Sequence, residues 1–264
     1  MTIDLKILKK LAEGKTKIIY ENPNDVKTVY MVFKDDITAG DGVKHDVMAG
    51  KALVDWKTNR NIFEFLNRKG VKTHYVSSPQ EKVSIVKKLD FKINLEVVSR
   101  RVAAGSVTKW SKVEEGDWYD PPVTQFHYKD DPLHDPMLDD SYIDFIVHSK
   151  QGGEWYASMR ELNVHVILEL EKAFAKSQLQ LVDLKLEYGL IAGEVTVIDE
   201  ITGGSFRLWP YAKSNPDLKQ KNVLKELDAE KRLDKDIYRM GGGLDKMKSK
   251  FEEIAKITEG FKNL

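Results

Sequence analysis

Residues 181–189 read Leu181-Val182-Asp183-Leu184-Lys185-Leu186-Glu187-Tyr188-Gly189, and after Leu190-Ile191-Ala192-Gly193 the chain returns as Glu194-Val195-Thr196-Val197-Ile198-Asp199-Glu200. Two β-forming runs around a short Ala-Gly turn make a hairpin. Successive side chains of a strand point to opposite faces, so Leu184, Leu186 and Tyr188 can face a core while Asp183, Lys185 and Glu187 share the other surface. Residues 187 and 199 are equidistant from residue 193, which places their carboxylates near one another across the hairpin, where facing Cβ atoms lie roughly 4.5–5.5 Å apart. Two carboxylates that close repel unless one is protonated or a cation lies between them. A hard, oxygen-seeking Mg²⁺ carrying nucleotide phosphates meets that requirement, against the plainer alternative of a solvated face with ordinary salt bridges.

Directly downstream, Gly203-Gly204-Ser205-Phe206-Arg207 combines small residues that allow close backbone approach with an arginine fork for an anion. Upstream, Ser99-Arg100-Arg101-Val102-Ala103-Ala104-Gly105-Ser106 repeats that chemistry of arginine, glycine and hydroxyl. Two such segments point to two phosphorylated ligands. The acidic stretch Asp130-Asp131-Pro132-Leu133-His134-Asp135-Pro136 fits either a rigid loop that closes over a substrate or a capped helix start.

Working outward, Leu5, Leu8 and Leu11 have helical spacing, and Ile18–Tyr20 and Val26–Phe33 read as strands around the turn ENPND. The segment DDITAGDGVKHD reads as a loop. Ala52, Leu53, Trp56, Phe63 and Leu66 form one face of a helix that Gly70 can end, followed by strands at 71–76 and 82–89 around the turn SSPQ. A strand at 95–98 leads to a Pro/Asp-rich stretch, 117–140, expected to be an ordered functional loop. Met159, Leu162, Val166, Leu170 and Phe174 mark a second helix; beyond the hairpin come a charged helical segment, a GGG hinge at 241–243 and a closing helix carrying Phe251, Ile254 and Ile257. The class is α+β, without the regular alternation of a parallel sheet.

Composition removes whole classes of function. At 264 residues the chain holds one to two domains with a full core, and zero cysteines exclude a disulfide scaffold, an iron–sulfur site and a cysteine nucleophile. Lys+Arg and Asp+Glu are both 42, so no global field holds the protein on nucleic acid or an anionic membrane. The longest apolar run, Val29–Phe33, is too short to span a bilayer, and the opening MTIDLKILKKLAEGK lacks a signal-peptide core, which gives a cytoplasmic expectation. Gly14-Lys15-Thr16 fails as a P-loop because Lys9 stands where glycine is needed, although Gly-Lys-Thr-Lys can still present amides and ammonium groups to phosphates from a hairpin. Ser106-Val107-Thr108-Lys109 lacks the companion motifs of penicillin-recognising enzymes, and no histidine lies in a zinc-protease pattern.

EGKTK, the AGDG loop, LEVVSRRVAAGS, DDPLHDPM, LVDLKLEYG and VIDE-ITGGSFRLW occur in an order and spacing that closely resemble the SAICAR synthetase family of de novo purine synthesis, from Gly14 to about Gly243. Asn94 and Tyr188 depart from the commonest pattern, where proline and phenylalanine stand. The resemblance implies a small kinase-like antiparallel β lobe (1–90) packed on a larger α+β lobe (91–264), with ATP in the cleft. It implies ligation of 5-amino-1-(5-phosphoribosyl)imidazole-4-carboxylate (carboxyaminoimidazole ribotide) to L-aspartate, with ATP as a substrate, through an acyl phosphate. Lys15 and Lys17 would hold ATP phosphates, and the hinge from Lys87 to Phe91 would meet adenine. Glu187 and Asp199 would hold Mg²⁺; Arg100, Ser106 and Arg207 would bind the ribotide phosphate, with Ser205 among the substrate-binding residues and Asp183 and Lys185 as catalytic residues at the imidazole end. Asp41 and the loop of Asp131, His134 and Asp135 would border the aspartate and ribotide pockets. The implied partners are small molecules, and monomer or homo-oligomer stays open.

Overall fold

The computed structural model describes residues 3–39, 44–110, 112–143, 145, 155–210, 231–234, 236–239 and 243–264. The first sheet is antiparallel, in the order β1 (Lys10–Glu13), β2 (Lys17–Glu21), β3 (Thr28–Phe33), β7 (Val83–Lys87), β6 (Tyr75–Gln80), while β4 (Asp36–Ala39) and β5 (Lys44–Val47) form a separate hairpin before helix α1 (Lys51–Arg68). After the short link 88–90 the second sheet begins with β8 (Phe91–Val102), followed in the chain by α2 (Val107–Trp110), β9 (Trp118–Tyr128), β10 (Met137–Leu138), α3 (Trp155–Ala175), β11 (Leu179–Ile191), β12 (Glu194–Ile198) and β13 (Phe206–Pro210). Its order is β10-β9-β8-β11-β12, with β13 also paired to β11. The described chain closes with α4 (Asp236–Arg239) and α5 (Leu244–Glu259).

The apolar periodicities place the core. Ala52 and Trp56 of α1 pack on Val29, Met31, Phe33 and Val86 of the first sheet. The other face of α1, with Ile62, Phe63 and Leu66, joins one cluster with Leu184, Leu186 and Tyr188 of β11, Met159 to Phe174 of α3, and Phe251 and Ile254 of α5. The C-terminal helix therefore rests on a helix of the first ninety residues. A parallel bridge between Thr73 and Val197 stitches the sheets together, supported by His74 N–H donating to the Val197 carbonyl at 3.0 Å.

Several expectations change. The leucine spacing near the N-terminus does not make a long helix: a 3₁₀ turn (Leu5–Ile7) precedes β1, whose four residues are all exposed. Pairing with β2 overrides a local helical pattern that has no core to face. The segment from 35 to 46 holds the β4–β5 hairpin, and SSPQ lies inside β6, the turn coming at Glu81-Lys82, where Lys82 has φ +64°. The stretch 117–140 is not one loop: β9 takes up Trp118–Tyr128 and β10 Met137–Leu138, with a 3₁₀ turn at Asp131–Leu133 between them. Pro121 and Pro122 fit in β9 because the register jumps between Arg100 and Val102, and the short β10 reaches only Phe126 and His127, so their missing N–H groups break no ladder. The charged segment at 211–230 and Gly241-Gly242 lie outside the described residues.

Candidate active site

Strand β11 delivers the site. Its core face is buried as the alternation requires, and its opposite face carries three ionic clusters two residues apart. At Asp183 two arginines converge: Arg100 Nη1 and Arg207 Nη1 donate to Asp183 Oδ2 at 2.7 and 2.6 Å. Arg100 also donates to Gln125 Oε1 and the Ala104 carbonyl and reaches Ser106 Oγ at 3.5 Å. Arg207 turns its Nε and Nη2 to Asp236 at 2.8 and 3.3 Å. Burial works against the Arg207 charge, but Asp183 and Asp236 more than offset it and raise its pKa above the ordinary value. Gly105, at φ +70°, lets the backbone pass this guanidinium: a Cβ there would lie 2.7 Å from Arg207 Nη2.

Two residues on, Lys185 Nζ bonds Glu96 Oε1 at 2.8 Å, and Lys129 Nζ bonds the same carboxylate at 2.7 Å. Burial alone would raise the Glu96 pKa; the two ammonium groups win and hold it at about 2. At Glu187, Lys129 bonds Oε1 at 2.6 Å and Lys92 lies 3.0 Å from Oε2, an oxygen buried without a hydrogen bond.

The hairpin register differs from the sequence expectation. Ala192 and Gly193 both have positive φ in a two-residue turn, so the symmetry point falls between them and Glu187 faces Ile198 rather than Asp199. Regular continuation would put Asp199 on the opposite face, but its own φ of +67° breaks the strand and redirects the side chain. There Asp199 Oδ1 meets Lys17 Nζ at 2.8 Å, Glu200 Oε2 lies 3.3 Å from the same ammonium, and Thr16 Oγ1 donates to Glu200 Oε1 at 3.2 Å. The Gly-Lys-Thr-Lys hairpin thus reaches the corner after β12. Burial opposes the charge of both partners; Lys17 is raised by Asp199, Glu200 and Glu187, and Asp199 is lowered by Lys17, Lys92 and Lys129. Beside them His74 is buried, its Nε2 unpartnered, and burial depresses its pKa to about 4.

Other expected residues fall out as follows. Lys87 donates to the Thr73 carbonyl and lines a cavity of about 470 Å³ with Thr73, Ile191 and Thr196. Phe91 is 40% exposed and faces Trp155. In the link 88–90, the N–H groups of Lys88 and Asp90 donate to the carbonyls of Lys27 and Leu190. Ser205 Oγ is engaged in its own turn, accepting from Thr202 N–H and donating to the Glu200 carbonyl. His134 and Asp135 both have positive φ, and Asp135 Oδ1 accepts from Asp130 N–H at 2.7 Å, which folds the loop back beside Lys129. Asp41 and the Asp131 side chain lie outside the described residues. Lys15 lies in the middle of the β1–β2 turn, where Gly14 N–H bonds the Lys17 carbonyl.

Sequence reading missed Glu96, Lys129, Lys92, Glu200 and Asp236. Period-two alternation puts Glu96 on the face of Arg100, and Glu200 directly follows Asp199, so those two were within reach; Lys92, Lys129 and Asp236 meet their partners only through contacts between segments distant in sequence. Among the described residues no group of three or more His, Asp or Glu side chains could hold a metal alone. The available donor set is two carboxylates plus whatever oxygens a ligand brings, which is how Mg²⁺ is usually held beside phosphates.

An antiparallel sheet packed on a larger α+β unit, with a strand face that alternates arginine forks and lysine-bridged carboxylates, defines an enzyme that handles small anionic substrates. The chain belongs to the SAICAR synthetase family: that family's sequence profile matches residues 10–257. A phosphoribosylaminoimidazole-succinocarboxamide synthase of Herpetosiphon aurantiacus is 40% identical over 261 residues, covering 96% of this chain and 98% of that protein. Among solved structures, a SAICAR synthetase (Type-2) in complex with ADP superposes with a TM-score of 0.77 at 32% identity, covering 94% and 97% of the two chains. The Ehrlichia chaffeensis phosphoribosylaminoimidazole-succinocarboxamide synthase gives 0.80 at 29% identity, covering 95% and 98%.

Proposed function

We propose that the chain is an ATP-dependent ligase that joins the carboxylate of 5-amino-1-(5-phosphoribosyl)imidazole-4-carboxylate to the amine of L-aspartate. The observation that carries this is the sequence of clusters along β11, a buried arginine pair at Asp183 and a lysine-rimmed carboxylate at Glu187 on one strand face. Four residues of strand span about 13 Å. That length suits a ribotide with its phosphate at the arginines and its carboxylate next to a nucleotide phosphate at the far end.

A carboxylate is inert to amines at neutral pH, so the reaction needs activation. A carboxylate oxygen takes the γ-phosphoryl group, releasing ADP; the aspartate amine then attacks the acyl carbon, the amide forms, inorganic phosphate leaves with that oxygen, and the amine gives up a proton. The protein positions three ligands and neutralises charge. Arg100, Ser106 and Arg207 hold the ribotide phosphate on the platform fixed by Asp183. Lys185, only partly engaged by Glu96, lies midway for the imidazole carboxylate. Lys15 and Lys17 take nucleotide phosphates, and the backbone from Lys87 to Phe91 takes adenine. Glu187 and Asp199 fit Mg²⁺, Glu187 through a buried oxygen without a hydrogen bond; the ion would neutralise phosphoryl charge. The loop of Asp131, His134 and Asp135, with Asp41, borders the remaining pockets, where aspartate binds.

In this reading residues 1–90 and 91–264 act as two lobes about the hinge. A cytoplasmic setting fits a chain without cysteine, and among the described residues no helix is long and apolar enough to cross a membrane. ADP release measured with each substrate omitted is the test. Sustained release over many turnovers that requires ribotide and aspartate together is expected; sustained release with a hydroxyl acceptor instead would make the protein a kinase, and binding without release would remove catalysis.

A further inference from the structure

Two carboxylates of different exposure meet the arginine pair, Asp183 and Asp236. Asp183, whose side chain is 5% exposed, lies against both guanidiniums and holds them in place. Asp236 comes from α4, remote in sequence, is 32% exposed, and takes the Nε–Nη2 edge of Arg207 with both carboxylate oxygens, at 2.8 and 3.3 Å. That side-on fork is the geometry in which a guanidinium binds carboxylate or phosphate interchangeably. In direct contact, among the described residues, the two guanidiniums face two carboxylates. A phosphate dianion added while Asp236 stayed in contact would leave an excess of two negative charges in a largely buried site, so one anion must yield, and the exposed one is Asp236.

We propose that Asp236 is a stand-in anion, holding the Arg207 fork until the substrate phosphate displaces it, and thereby setting the affinity for that substrate. This rests on Arg100 and Arg207 being the phosphate site. The helix need not move, because it is anchored on either side of Asp236: Asp234 accepts from Trp209 Nε1, and Tyr238 OH donates to Asp46 Oδ2 at 2.7 Å. The role is therefore read by exchanging one side chain.

The experiment is calorimetric binding of ribose 5-phosphate to the full-length wild type, Asp236→Asn, Asp236→Glu and Arg207→Ala, together with the ribotide and ATP KM of each. Removing the competing charge in Asp236→Asn should tighten ribose 5-phosphate binding about tenfold, some 1.4 kcal/mol, and lower the ribotide KM at unchanged ATP KM. Asp236→Glu, which keeps the charge, should stay near wild type. Weaker or unchanged binding in Asp236→Asn, with Arg207→Ala impaired, would show that Asp236 merely positions Arg207 and would overturn the proposal. Unchanged binding in Arg207→Ala would instead remove the phosphate-site reading beneath it. Should Asp236→Asn fail to fold, Asp236→Ser is read against the same outcomes.

Discussion

Replacing Glu187 by Gln keeps the side chain's shape and deletes one buried negative charge. The stability cost follows from its partners. Lys92 and Lys129 are 45% and 32% exposed, so water takes over their charge when the carboxylate goes, and Lys129 keeps Glu96 at 2.7 Å. Ion pairs with exposed cations contribute about 0–1 kcal/mol each, which sets the expected loss at no more than about 2 kcal/mol for two contacts. The catalytic cost is of another order: losing one preorganised charge from a reacting centre lowers kcat by about 10²–10³. Urea denaturation reads the first quantity, and ADP release at saturating substrates, with Mg²⁺ varied, reads the second. A folded variant with turnover within tenfold of wild type at saturating Mg²⁺ would refute the assignment of Glu187 to the metal and phosphoryl site.

Other substitutions separate structural from catalytic charge. Asp183→Asn leaves Arg100, 6% exposed, and Arg207 around a neutral amide, and should cost about 3–5 kcal/mol in urea denaturation; an unchanged midpoint would mean other anions hold the arginines. Arg207→Ala should raise the ribotide KM by about 10- to 100-fold at constant ATP KM, from losing charge-assisted hydrogen bonds of about 1.5–3 kcal/mol, and the reverse pattern would show the two phosphate sites exchanged. His74 has a folded pKa of about 4 against 6.5 when unfolded. Between those values the unfolded chain binds the extra proton, so stability is complete above pH 6.5 and falls by roughly 3 kcal/mol as pH drops to 4. Glu96, held at about 2, adds further loss below its ordinary range, in the same direction. His74→Gln should flatten the slope of urea midpoint against pH between 4 and 6.5, and an unaltered slope would contradict the burial argument.

What the sequence made legible was set by local periodicity. The alternation in 181–189 placed Asp183, Lys185 and Glu187 on one face because a strand has no other option, and the helices at 51–68 and 155–175 followed from their apolar stripes. Family resemblance supplied roles that spacing alone could not. Local signals failed where distant partners decide. The 3₁₀ turn and the exposed edge strand β1 together carry a leucine spacing that mimics a helix, and the proline pair of β9 resembles a loop until the irregularity opposite Arg101 is seen. The one-residue error at Asp199 came from centring a two-residue turn on one residue; Asp199 itself has a left-handed backbone and meets Lys17 of the N-terminal sheet. The lysine bridges to Glu96 and Glu187 join β8, β9 and β11, and no short motif encodes such a contact.

The acyl-phosphate route makes one bond history testable. Ribotide labelled with ¹⁸O in both carboxylate oxygens is turned over with ATP, Mg²⁺ and aspartate, and the inorganic phosphate is analysed by mass spectrometry. One ¹⁸O atom per phosphate, with one retained in the new amide, is the expected result; phosphate free of label would contradict carboxylate activation at this site.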